Sequence, residues 1–182
     1  NIGHNHPLVI ERAQEQMQNL IHGGHNVVYY PSYIELAEKL NELNGGGCQV
    51  YFSNSGAEAN EGAIKLAKKY TKRPGIISFK RSFHGRTLAT ATLTASNSLY
   101  RQDYEGLMPS VYYAEYPYPL RSGLSEEEES RRCLDQLNEI FRLLIAPDQV
   151  AAIILEPVQG EGGYIIPPKS FIEGLRNICD QH

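Results

Sequence analysis

With 182 residues, 41% of them hydrophobic, the chain is long enough for one substantial core and too apolar to be a disordered segment. A net charge of -4 leaves no electrostatic footprint for nucleic acid, and no apolar run approaches the length of a membrane span. Three cysteines, Cys48, Cys133 and Cys179, are odd in number and widely spaced; they imply neither a disulfide framework nor a metal site, and a reducing cytoplasmic setting is expected.

The chain opens on Asn1 rather than Met and stops at His182 inside a helical pattern, so it reads as a piece of something longer. After the polar Gly3-His4-Asn5-His6-Pro7 segment, apolar residues at helical spacing mark one helix through Val9, Ala13 and Leu20 and a second through Leu36, Leu40 and Leu43. Val50 to Phe52 reads as a short buried strand. It runs into Ser53-Asn54-Ser55-Gly56-Ala57-Glu58-Ala59, a small-residue turn opening a helix that ends near Tyr70. The first N–H groups of a helix have no partner within it and carry partial positive charge, so a phosphate can dock there without Lys or Arg. Ser55 and Glu58 also fit a capping box, a spacing that recurs at Ser32/Glu35, Ser125/Glu128 and Ser170/Glu173.

Ile76 to Phe79 is the second expected strand, followed by Phe83-His84-Gly85-Arg86-Thr87. Phe83 offers a face for a flat heteroaromatic ring. His84 fits a hydrogen-bonded structural role as well as a proton carrier, and Arg86 fits a carboxylate fork as well as a surface ion pair. Val111 to Tyr113 is a third strand, and the Pro- and Tyr-rich stretch from Tyr112 to Leu124 reads as an extended crossing packed on the core. The acidic run Glu126 to Glu129 suits a helix start, and Leu134, Leu137, Phe141 and Leu144 continue that helix. Ala151 to Leu155 is the last strand; beyond it Glu156-Pro157-Val158-Gln159-Gly160-Glu161-Gly162-Gly163 places two carboxylates in a Gly-rich loop, either a turn with exposed acids or a pocket wall. Phe171, Leu175 and Ile178 mark a closing helix, with Cys133 and Cys179 on apolar helix faces as core residues.

Strands alternating with helices predict an α/β fold, an α/β/α sandwich around a mostly parallel mixed sheet, whose ligands collect beyond the carboxyl ends of the strands. Each of the three candidate loops follows an expected strand, which points to one shared pocket.

Four segments, Gly3 to Pro7, Ser53 to Ala59, Ser82 to Thr87 and Glu156 to Gly163, occur in the order and approximate spacing of class III aminotransferases, and the chain resembles that family from end to end. The Leu107-Met108-Pro109 and Tyr116-Pro117-Tyr118-Pro119-Leu120 segments look most like its 4-aminobutyrate branch. The resemblance implies fold type I, with residues 1–182 forming part of the cofactor-binding large domain and the remainder of it and a small domain lying outside. It implies pyridoxal 5'-phosphate as cofactor: Ser55, Gly56 and Ala57 at the phosphate, Phe83 stacked on the ring, and His84 and Glu156 beside it. Glu161 would match the glutamate that pairs with a substrate-binding arginine, and Arg86 a carboxylate-binding arginine of the acetylornithine branch. The reaction implied is ping-pong transfer of an amino group from an ω-amino donor to 2-oxoglutarate by a homodimer. Acetylornithine or ornithine transamination, a racemase or aminomutase on the same scaffold, and a non-catalytic phosphate-binding or dimerisation module are the alternatives. None of the chain's lysines stands in the family's Schiff-base motif, expected beyond His182, so residues 1–182 alone are expected to be inactive.

Overall fold

A computed structural model describes residues 2–104 and 108–182; Leu107 of the Leu107-Met108-Pro109 segment therefore lies outside the described residues. The chain divides into two compact units, one up to Tyr51 and one from Phe52 to His182. In the first, α1 (Pro7–Asn19) and α2 (Pro31–Leu43) each start on a proline, whose fixed torsion and missing N–H suit the first helical position. Neither helix buries a residue, and Leu8, Val9, Met17, Leu36 and Leu43 are exposed.

The second unit carries the sheet. Its elements in order are α3 (Gly56–Thr71), β1 (Gly75–Phe79), α4 (Leu88–Leu93), a 3-10 turn (Ser98–Tyr100), β2 (Val111–Ala114), α5 (Pro119–Ser122), α6 (Glu126–Leu143), a 3-10 turn (Pro147–Gln149), β3 (Val150–Ile153) and α7 (Lys169–Gln181). The strands lie in the order β2-β1-β3, and β1 pairs with both neighbours in parallel, Ile76 opposite Val111 and Ala152. Because successive side chains of a strand point to opposite faces, β1 serves two cores. Ile77 and Phe79 pack with Cys133, Leu137 and Ile140 of α6 and with Phe171 and Leu175 of α7, while Ile76 packs with Ile64 of α3 and Leu93 of α4. The result is helix, sheet, helix, as expected, with every strand pair among the described residues parallel. Tyr116 and Pro117 are fully buried, so the Tyr- and Pro-rich crossing does pack on the core.

Several local expectations are corrected. Val50 to Phe52 is not a strand: it pairs with none of β1, β2 and β3, and Tyr51 is 70% exposed, so extended propensity found no ladder to join. The candidate turn at Ser53 thus follows an irregular segment. Of the recurrent S-x-x-E spacings, Ser125/Glu128 forms a full capping box, whereas Ser32 and Ser170 sit inside α2 and α7, whose caps are Tyr30 and Pro168. Ser170 instead donates to Ser130 Oγ at 2.9 Å, joining α7 to α6. Cys133 is buried, but Cys179 is exposed rather than core. Burial pushes the Cys133 thiol up to about 12.

Candidate functional site

Beyond Phe79 and Ile153 the chain leaves two adjacent parallel strands whose connections run to opposite sides of the sheet, the arrangement that opens a crevice at the carboxyl ends of strands. Glu156 ties the two loops together. Its Oε2 accepts the Phe83 N–H at 2.9 Å and its Oε1 the Gly160 N–H at 3.1 Å. Gln159 Nε2 donates to the Lys80 carbonyl at 2.9 Å, and the Tyr116 hydroxyl donates to the Glu156 carbonyl at 2.9 Å. A Cβ on Gly162 would stand 2.9 Å from the Arg81 carbonyl oxygen, too close for any side chain, so the loop after β3 closes on the loop after β1 only because glycine stands there.

The start of α3 joins the same neighbourhood. Ser55 Oγ accepts the Glu58 N–H at 3.2 Å, and Glu58 Oε2 accepts the Asn54 N–H at 2.6 Å, one residue earlier than a strict capping box would place it. Ser55 is therefore a cap. The N–H groups of Gly56 and Ala57 remain without a hydrogen-bond partner among the described residues, and a Cβ on Gly56 would meet nothing within 4 Å. Among the described residues of this unit, no side chain plugs the helix end.

What lies against it is the loop after β1. Gly85 adopts φ +129°, and a Cβ there would come within 2.7 Å of Ala57 Cβ and 2.6 Å of Thr90 Oγ1. Asn60 Nδ2 donates to the His84 carbonyl at 2.8 Å; Glu61 Oε1 accepts from Thr87 Oγ1 at 2.6 Å and from the Ala89 N–H at 3.3 Å. Ser55, Gly56 and Ala57 are thereby brought beside the Phe83–Arg86 loop.

His84 is 6% exposed, and its backbone N–H donates to Thr94 Oγ1 at 3.0 Å. Burial lowers its pKa, with the Glu156 charge opposing the shift, and its Nε2 has no partner among the described residues. Phe83 meets Tyr100 edge-to-face, with ring centroids 5.3 Å apart. Arg86 is exposed, its guanidinium 5.0 Å from the Tyr100 ring centroid, and Glu161, also exposed, faces the Tyr100 hydroxyl at 3.5 Å. Among the described residues the site thus combines an open helix start, a half-buried aromatic, a buried imidazole with an unused nitrogen, an exposed guanidinium and an exposed carboxylate. Glu156 is less free than its loop suggested, since both its oxygens hold backbone.

Sequence reasoning includes Asn60 and Glu61 in the Ser53 to Gly62 stretch without giving them a role, and it does not single out Thr94 or Tyr100. Asn60 and Glu61 stand one turn into α3 from Gly56, where a helix face contiguous with the turn could have been inspected. Thr94 and Tyr100 reach the site only through tertiary folding, and no local pattern marks them.

Comparison with known proteins accords with this geometry. The whole chain, residues 1–182, matches the family described as aminotransferase class-III. It is 45% identical over its full length to a probable 4-aminobutyrate aminotransferase of Bacillus subtilis, covering 43% of that protein. It is 41% identical to a 5-aminovalerate aminotransferase of Pseudomonas aeruginosa, covering all of the chain and 42% of the relative. Among solved structures, a taurine:2-oxoglutarate aminotransferase from Bifidobacterium kashiwanohense in complex with PLP and glutamate superposes with a TM-score of 0.91 at 29% identity, over all of the chain and 42% of that protein. The chain thus spans less than half the length of the relatives it matches. An open helix start and a Gly-fitted loop in this topology, with a match running from first residue to last, place the chain in the class-III aminotransferase family.

Proposed function

We propose that the full-length protein carrying this chain transfers an amino group from an ω-amino acid to 2-oxoglutarate, with pyridoxal 5'-phosphate as cofactor. The observation that carries the reading is the open start of α3, where the N–H groups of Gly56 and Ala57 have no protein partner and the Gly85 backbone closes against Ala57. A phosphate fits there: Ser55 fixes the turn, the two N–H groups donate, and the helix dipole favours the negative charge. Phe83 supplies the aromatic face for the ring, and the unused Nε2 of the buried His84 supplies a polar atom beside it. Bound there, the cofactor supplies an electron sink and a carbonyl carbon that receives the amine.

The chain's own residues do the rest by placement. Glu156 holds the loops after β1 and β3 in register, so that Phe83 is fixed by its backbone. Arg86 presents a guanidinium for a substrate carboxylate, and Glu161 presents an acid that can pair with an arginine or an ammonium. In the net reaction the donor loses its amino group and becomes a semialdehyde, while 2-oxoglutarate gains it and becomes glutamate. The 4-aminobutyrate-type donor rests on the Bacillus relative, and 5-aminovalerate is favoured almost equally by the Pseudomonas one. On this reading residues 1–182 belong to the cofactor-binding large domain, and the apolar residues exposed on α1 and α2 suit a homodimer. A cytoplasmic setting suits the free thiols of Cys48 and Cys179, both exposed.

The test is the protein expressed at the full length of its reading frame, purified and assayed with 4-aminobutyrate, 5-aminovalerate, ornithine and acetylornithine against 2-oxoglutarate. Glutamate formation from one of the first two is expected. A racemase or aminomutase would convert its amino acid with no keto-acid acceptor, and a binding module would show no cofactor absorbance at all; either result overturns the proposal. Residues 1–182 alone are expected to release no glutamate.

A further inference from the structure

The loop after β1 owes its path to side chains from three different elements. The Phe83 N–H ends on Glu156 of the loop after β3, and the His84 N–H ends on Thr94 Oγ1 at 3.0 Å, where α4 stops. The Thr94 hydroxyl, fully buried, lies in turn 3.1 Å from the Gly85 carbonyl oxygen and 2.9 Å from that of Thr90. The third tie comes from α3, where Asn60 Nδ2 donates to the His84 carbonyl at 2.8 Å. Glu61 also reaches this loop, but at Thr87 and Ala89, beyond Arg86. Among the described residues, Asn60 is thus the side chain through which α3 hydrogen-bonds the stretch from Phe83 to Gly85.

Asn60 stands one turn, about 6 Å along the axis, from Gly56. Its bond therefore joins the helix whose first N–H groups face the phosphate position to the residue that follows Phe83. Asparagine is a poor choice for a helix interior, because its short polar side chain favours caps and turns. On α3 it stands among Ala57, Ala59, Ala63 and Ala67, all better helix formers, so the bond to the loop is the physical reason for its place. Gly85 acts from the other direction. Its φ of +129° and missing side chain let the loop come up against Ala57, and Asn60 keeps the loop from moving off. Packing sets the smallest separation and the hydrogen bond sets the largest. We propose that Asn60 is a positioning residue that fixes how far the Phe83 ring stands from the start of α3, and thereby selects the cofactor by the length of the arm joining its ring to its phosphate. The ligand class is a phosphorylated pyridine with a one-carbon arm. This rests on the pyridoxal 5'-phosphate reading for the ligand, while the contacts that set the separation lie within residues 57–85.

The test uses the full-length protein stripped of cofactor and titrated by equilibrium dialysis with pyridoxal 5'-phosphate and with its homologue carrying one more methylene between ring and phosphate. Circular dichroism in the absorption band of each bound ligand is recorded alongside. Wild type is expected to bind pyridoxal 5'-phosphate at least about tenfold more tightly than the homologue. Asn60→Leu keeps the bulk and removes the donor. Its affinity for pyridoxal 5'-phosphate is expected to fall about tenfold while that for the homologue changes by less than about threefold, and the dichroic band to weaken because the ring is no longer held at one angle. A residue that only stabilised the fold would weaken both ligands alike and leave their ratio unchanged. Ser170→Ala, which breaks the Ser130 contact between α6 and α7, is the control for lost stability and should leave the ratio within about twofold of wild type. Should Asn60→Leu fail to fold, Asn60→Ala, which suits a helix better, takes its place with the same expectations.

A ratio in the Asn60 variant equal to that of wild type, a shift of the same size in Ser170→Ala, or a wild type that binds the two ligands equally overturns the positioning role and leaves the proposed function standing. A wild-type protein that binds neither ligand overturns the proposed function and this role with it.

Discussion

At the scale of single residues the site depends on places where nothing larger fits. Gly85 is held at φ +129° with Ala57 and Thr90 pressed against the space a Cβ would need. In Gly85→Ala the backbone strain of about 1–3 kcal/mol adds to overpacking of similar size. The helix start and the loop must then separate. Cofactor affinity in the full-length protein is expected to fall at least tenfold, read by equilibrium dialysis, with a lower melting temperature. His84 supplies a second, pH-dependent effect. Burial depresses its pKa, so in the acid range the unfolded chain binds a proton that the folded one refuses. Stability is therefore full above the unfolded histidine pKa of about 6.5 and declines as pH falls below it. Melting curves from pH 8 to pH 5 should show that decline steepened in wild type relative to His84→Gln; identical slopes would refute the assignment. The loops that meet here were legible because small-residue turns and Gly-rich loops have strong local spelling. Tyr100 was not, since Ser96-Asn97-Ser98 before it reads as any polar loop and its importance lies wholly in whom it meets.

At the scale of elements, one spacing had four occurrences and two outcomes. Ser55 and Ser125 cap α3 and α6, but Pro31 opens α2 and Pro168 caps α7, which pushes Ser32 and Ser170 into the first turn. Proline's fixed torsion decided the boundary over the serine's hydrogen bond. Val50 to Phe52 has strand propensity but lies outside the sheet formed by β1, β2 and β3. The acidic start of α6 hides a feature that composition could not show. Glu129 is 1% exposed, bound by Arg132 through Nε at 2.9 Å and Nη2 at 2.8 Å, and it accepts the Tyr118 N–H at 3.1 Å. The Arg132 hydrogen bonds, opposed by burial, hold its carboxyl down at about 2. Because that pKa lies below the unfolded value of about 4.3, the stabilisation is present above pH 4.3 and fades as pH falls towards 2. Glu129→Gln keeps the shape and loses the charge; it should cost about 1–3 kcal/mol in urea unfolding at pH 7 and much less at pH 3. Equal losses at both pH values would sink the assignment.

For the whole molecule, the alternation of strands and helices made the layered fold legible, and with it the end of the sheet where a site belongs. Which loops converge there was legible only as an expectation, because β1, the central strand, must receive β2 on one side and β3 on the other before the crevice exists. The two units differ in how much they bury. With no buried residue in α1 or α2, the amides of residues 7–43 in isolated residues 1–182 are expected to exchange with solvent far faster than those of Gly75–Phe79, a contrast that hydrogen exchange read by mass spectrometry would show or deny. Native peptide mapping with a thiol reagent at pH 8 should likewise modify Cys48 and spare Cys133, whose thiol is buried and protonated.

The pairing of β1 with β3 also sets a timetable for biosynthesis. Gly75 meets Val150, so a ribosome that has already extruded the middle strand must add about seventy further residues before its second edge is covered. Until then the Phe83 N–H has no glutamate to hold it, and a nascent chain stalled before residue 156 has the loop after β1 tied to the start of α3 but not to the loop after β3. When β3 pairs with β1, the loops after the two strands are joined in one event through Glu156.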